Sequence, residues 1–208
     1  MTNKPPHRLK REILSKEDVA RRASDFLDQH HSELTIPIPI EDIAEFKLEV
    51  AILPAIALDS VSGDGIDAYL SPDMQEIHID QYTYHHRAHR RTFSVAHEIG
   101  HLILHPETYS ELVEGLNLGQ FREAILNLHK QDLDFIEWQA NQFAGLILVP
   151  SSVLKIQFEN VCKTSSIDFA NPVSGTDLET IVQELVPLFE VSSDVLRIRC
   201  VSDGLAEI

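Results

Sequence analysis

From Ser15 onward, Val19, Ala23, Phe26 and Leu27 recur at three- and four-residue spacing, the period of a helix with one buried face. Ser15 followed by Asp18 is a capping-box pattern, so this helix is predicted to open there and to run to about His31. Pro37 and Pro39 then stop extended structure, and Ile40, Ile43 and Ala44 start a short helix. The rhythm changes over residues 48–80. LEVAIL (48–53), IDAYL (66–70) and EIHID (76–80) are short runs rich in β-formers, separated by Ser62-Gly63-Asp64-Gly65 and by Ser71-Pro72-Asp73. This turn chemistry between such runs predicts an antiparallel meander of three or more strands.

At about Arg87 the helical period returns, with Phe93, Ala96, Ile99, Gly100 and Ile103 on one stripe up to Pro106, which limits the helix. Residues 107–131 read as one or two short helices with a loop at Asn117-Leu118-Gly119. Asp132 to Val149 reads as a long helix carrying Phe135, Ile136, Ala140, Phe143, Ala144 and Ile147. Pro150 and two serines open another, with Val153, Leu154, Ile156 and Phe158. A linker over 165–175 precedes an amphipathic helix at 177–190 and a final one opening at Ser192. The expected fold class is α+β: an N-terminal helix, a small antiparallel sheet, two long helices packed on it, and C-terminal helices. The expected organisation is a flexible basic tail over 1–14, one main domain over 15–162 and a helical extension over 172–208.

Charge and composition narrow the function. Thirty-three acidic against 17 basic residues give a net charge of −16, which argues against coating nucleic acid, because phosphate binding needs clustered Lys and Arg. Seven of the 17 basic residues lie within residues 1–22, a run that reads as a solvated end. Cys162 and Cys200 are too few for a disulfide framework and are expected to be small buried apolar residues. No apolar stretch is long enough to span a bilayer, and MTNKPPHRLKR at the start has no apolar region of a signal peptide, so a cytoplasmic location is expected.

Histidine changes the picture most: six of the 11 lie between His85 and His105. His97-Glu98-Ile99-Gly100-His101 is an H-E-x-x-H pattern in an apolar helix. Positions i and i+4 share a helix face, so both imidazoles can converge on one metal ion, and Glu98 lies about 100° around the helix, placed as a general base. Two histidines in such a helix would be costly without a partner. A catalytic zinc site wants a third protein ligand and an open position. The extended metzincin pattern fails, because Leu104 and Glu107 stand where Gly and His are needed. The third ligand is then a downstream glutamate: Glu107, Glu111, Glu114, Glu123 or Glu137. Glu137 is favoured, because it sits in a firm helix among Phe135, Ile136, Trp138 and Ala140, with Asn141 one turn on to hold a ligand imidazole by a hydrogen bond. This donor set suits zinc, though manganese or iron also accept it. For a donor to a developing oxyanion, Tyr69, Tyr82, Tyr84, Tyr109, His85, His86, His89 and Arg87 are open alternatives. The cluster from His85 to Arg91 reads either as a polar helix start or as a basic rim for acidic peptide segments.

RTFSVAHEIGHLILH (91–105) followed by EWQANQFAGLILVP (137–150) resembles the paired motifs of the ImmA/IrrE family of zinc peptidases. The Ile36-Pro37-Ile38-Pro39-Ile40 segment and the GDGIDAYL stretch extend the resemblance to about residues 17–160, and FEVSSDVLRIRCVSDGLA resembles the family's C-terminal helical piece. The resemblance implies a zincin-like fold, His97, His101 and Glu137 as metal ligands, Glu98 as catalytic base and Asn141 as support. His105 also matches a frequent family position. The implied activity is that of an intracellular zinc endopeptidase acting on a protein partner, a transcriptional repressor, with no direct contact to nucleic acid. It also leaves two other readings: a metal-stabilised anti-repressor without turnover, and a toxin–antitoxin component. Two departures stand out: the spacing from His101 to Glu137 is long for the family, and no helix-turn-helix domain is evident.

Overall fold

The computed structural model describes residues 14–56, 67–113 and 130–207. Helix α1 (Lys16–His30) opens on the expected capping box: the Ser15 hydroxyl accepts from Asp18 N–H, and the Asp18 carboxylate accepts from Ser15 N–H. Two of the helix's orphan donors are thereby satisfied. Its stripe of Val19, Ala23, Phe26 and Leu27 is buried. Helix α2 (Ile40–Phe46) buries Ile40, Ile43 and Ala44.

Three strands follow: β1 (Ala51–Ala55), β2 (Ala68–Leu70) and β3 (Glu76–Asp80). The spatial order is β1-β3-β2. This corrects the all-antiparallel expectation, since β1 runs parallel to β3, with Ala51 opposite Glu76 and Ala55 opposite Asp80. Only β2 and β3 form an antiparallel pair, with Ala68 opposite Ile79 and Leu70 opposite Ile77. The physical reason lies in the connections. Five residues over Ser71–Gln75 suffice for a reversal, where Ser71 N–H donates to Glu76 O and Met74 N–H to Ser71 O. The stretch between Ala55 and Ala68 is long enough for a crossover, and a crossover permits parallel pairing. β3 takes the centre because Ile77 and Ile79 are fully buried, whereas β1 leaves Ala51, Leu53 and Pro54 exposed.

Asp80 ends β3 and caps α3 (Gln81–His86), its carboxylate accepting from Tyr82 and Thr83 N–H. Helices α4 (Ala88–Leu104) and α5 (Pro106–Val113) come next, then α6 (Lys130–Leu148) and α7 (Ser151–Ser165). The last two are α8 (Gly175–Phe189) and α9 (Ser193–Ser202). Helices α4 and α6 pack directly on one another, and α6 also packs on α1, where Phe26 meets Phe143 edge-on at 5.6 Å. A single hydrophobic core runs from Val19 through Ile77 and Ile99 to Phe143, Ile181 and Leu196. Both cysteines are buried and free. Most of the expected tail, the turn at 62–65 and the loop at 117–119 lie outside the described residues. Among the described residues no helix is long and apolar enough to cross a membrane.

Candidate metal centre

The centre is built where α4 crosses α6. Gly100 makes the crossing close: a β-carbon there would lie 3.1 Å from both Cα and O of Ala140. A residue without a side chain lets the α6 backbone sit against α4, which carries Glu137 to the His97–His101 face. Arg91 holds the start of α4, donating to the Glu41 carboxylate at 2.9 Å and to Tyr84 O at 2.7 Å.

His97 Nε2 and His101 Nε2 lie 3.0 Å apart. The Glu137 carboxylate faces both, at 3.1 Å from His97 Nε2 and 3.4 Å from His101 Nε2. The 3.1 Å contact is made by Glu137 Oε2 and the 3.4 Å contact by Oε1, so the carboxylate straddles the two imidazoles, and these spacings are near the roughly 3.3 Å between ligand atoms of a tetrahedral zinc with bonds of about 2.0–2.1 Å. His97 Nδ1 is 3.1 Å from Asn141 Oδ1, so it donates there and leaves Nε2 free for a metal. The donor set and its spacing fit a metal ion, and His101 is only 3% exposed. Glu107, another sequence candidate, is exposed on α5, and Glu114 and Glu123 lie outside the described residues, as does the side chain of Glu111.

Electrostatics follow from this packing. Burial opposes a charge on His97, but the Glu137 hydrogen bond and the charges of Glu98 and Glu137 outweigh it and shift its pKa upward. Burial would raise Glu137, yet hydrogen bonds from His101 and His97 and their charges hold it well below the usual carboxylate range. Glu98 behaves oppositely. It is 5% exposed, and burial pushes its pKa up against the pull of His97 and His101. His105, one turn beyond His101, is pushed down to about 4, chiefly by burial and then by His101. Tyr109 is buried with its ring 5.7 Å from that of His101, and burial together with Glu98 and Glu137 keeps its phenol protonated.

The IrrE N-terminal-like domain of the M78 peptidases matches residues 56–201. The chain belongs to this family. No curated protein matches the chain. A solved Mycobacterium tuberculosis transcriptional regulator is similar over 86% of this chain, at 13% identity and a TM-score of 0.49, and this chain covers 45% of that one. In this M78-family chain a cleft of about 850 Å³ opens onto His97, Glu98, Glu137 and Asn141. Of the eight oxyanion candidates, Arg87 and His89 line the cleft and Tyr109 backs the histidines. Tyr69 instead stacks on His78 at 4.8 Å, Tyr82 faces solvent, and Tyr84 lies under Arg91. Asp67 fixes the rim, accepting from Arg90 and from the Thr83 hydroxyl. The sequence reading missed the opposite wall: Ser192, Asp194 and Val195, at the start of α9, line the same cleft. Val195 both packs against the core and lines the cleft, and no local pattern marks the second role.

Proposed function

We propose that this chain is a zinc-dependent endopeptidase that cuts a protein partner, a transcriptional repressor, in the cytoplasm. His97, His101 and Glu137 hold the metal, Glu98 is the base, and Asn141 orients His97. The observation that carries the reading is a buried carboxyl, Glu98, next to a three-donor cluster at the floor of an open cleft. A binding module has no need of a carboxyl held there against its own desolvation. Zinc, when bound, supplies Lewis-acid polarisation and brings the pKa of a water towards ~7.

The protein's own residues do the rest. Glu98, its basicity raised by burial, takes the proton of the attacking water and passes it to the departing amine nitrogen. Asn141 keeps His97 in the tautomer whose Nε2 is free. Arg87 and His89 on the cleft wall, or Tyr109 behind the histidines, supply the donor for the developing oxyanion. The peptidase domain in this reading spans 15–162, and the 172–208 extension contributes α9 as the far wall of the cleft.

Co-expression with repressors encoded beside the gene tests the proposal. A new N-terminus on one of them with wild type, absent with Glu98→Gln, is the expected result. Repressors left intact by both proteins would sink proteolysis.

A further inference from the structure

The proposed ligand set leaves out His105, although it is as buried as Glu98. It sits in a continuous chain of polar contacts. Gln139 is fully buried on α6 and its Nε2 donates to Leu14 O at 3.1 Å. A carbonyl oxygen can only accept, so the Gln139 amide is fixed with Oε1 turned the other way. That oxygen lies 2.7 Å from His105 Nε2, which must therefore carry the hydrogen. The remaining nitrogen of His105, Nδ1, is 3.1 Å from His101 Nδ1. In a neutral imidazole it has a lone pair, so His101 Nδ1 is the donor in this contact. His101 Nε2 is then the bare nitrogen, and it is the atom that faces His97 and Glu137.

We infer that Gln139 and His105 form a buried relay, anchored on the Leu14 carbonyl, that fixes the tautomer of His101 and so raises affinity for the metal. The inference rests on the reading of His97, His101 and Glu137 as metal ligands. Both are positioning residues, acting only through His101. The relay does for His101 what Asn141 does for His97, but with two members where His97 has one. It also makes the docking of the chain just before α1 a support of the metal centre, since the last acceptor belongs to Leu14. A purely space-filling pair would satisfy burial without any preference between the two nitrogens of His105.

The test uses the full chain with ¹⁵N-labelled histidine, metal-free and zinc-loaded, and two-bond ¹H–¹⁵N spectra that report which ring nitrogen is protonated. Wild type is expected to show His105 as the Nε2–H tautomer in both states. Gln139→Met, which keeps length but offers no donor and only a weak sulfur acceptor, is expected to lose that single tautomer. Its zinc Kd, read by competition with a chromogenic chelator, should rise about 10–100-fold, with an unchanged far-UV spectrum. His105→Phe should give a rise of the same size. A wild-type His105 protonated at Nδ1 would overturn the relay, as would Gln139→Met with native tautomer and native zinc Kd. Should Gln139→Met fail to fold, the wild-type spectrum and His105→Phe still decide. Wild type that binds no zinc would instead overturn the metal reading, and the relay's purpose with it.

Discussion

Glu98 is under two opposed influences: burial disfavours its charge, and the imidazoles of His97 and His101 favour it. Burial wins, so the acid limb of kcat/KM against the proposed protein substrate should lie above the ordinary glutamate range of about 4.3, because the protonated form cannot act as base. Glu98→Gln should lose turnover by about 10²–10⁴-fold while still binding about one zinc per chain. The same change removes a buried carboxylate, so metal-free Glu98→Gln should melt above metal-free wild type near neutral pH. A lower melting temperature would mean that the carboxylate is better solvated than its burial implies. His97→Ala and Glu137→Ala should instead abolish the zinc seen by elemental analysis; zinc retained in either would exclude that residue as a ligand. At this scale much of the centre was legible. The i, i+4 spacing of His97 and His101 is a property of the helix itself, and Glu137 is picked out by its apolar neighbours. Gln139 was not, although it lies on the same stripe as Ile136 and Phe143. Its partner Leu14 is 125 positions away, and no local pattern carries that distance.

Between elements, the contact that matters most is Gly100 against Ala140. Gly100→Ala would place a methyl group 3.1 Å from backbone atoms on α6. Since neither backbone can fold away like a flexible side chain, the two helices must part slightly, at about 1–3 kcal/mol. Urea unfolding should show that loss. Zinc should bind more weakly as well, because Glu137 rides on α6 and both histidines on α4. A variant as stable as wild type would show that the crossing has slack. Most helices were readable from an apolar stripe and from local start or stop signals, such as Ser15 before α1 and Pro106 after α4. Strand order was not, because β1 pairs with a run some 25 residues further along the chain, and the runs themselves do not carry that choice of partner. Helix α3 escaped for a related reason: QYTYHH has no apolar stripe, and its start is set by the Asp80 carboxylate.

The whole molecule adds a cleft with walls from distant parts of the chain: Asp67 beside β2, Arg87 and Arg90 near the start of α4, and Val195 on α9. Helix α9 is held in place by Arg199, which is buried and donates to Val149 O at 3.3 Å, to the Ser151 hydroxyl at 2.9 Å and to the Asp203 carboxylate at 3.0 Å. Its Cδ also closes on Gly145, at 3.3 Å from where a β-carbon would stand. One side chain thus joins α9 to α6 and to the start of α7. Arg199→Ala removes all three hydrogen bonds and leaves Asp203 without its cation. The cost is about 2–4 kcal/mol, towards the lower part of the range for broken buried pairs because Asp203 keeps some contact with water. The proposed metal donors lie on α4 and α6, so zinc content should stay at about one per chain. What should change is the far wall of the cleft: KM for the proposed protein substrate should rise several-fold, with kcat much less affected. Val195→Asp, which leaves the Arg199 cluster whole, should also raise KM, with a smaller stability loss because Val195 is only partly buried against the core. If both variants cleave with native KM, α9 packs beside the cleft without touching substrate.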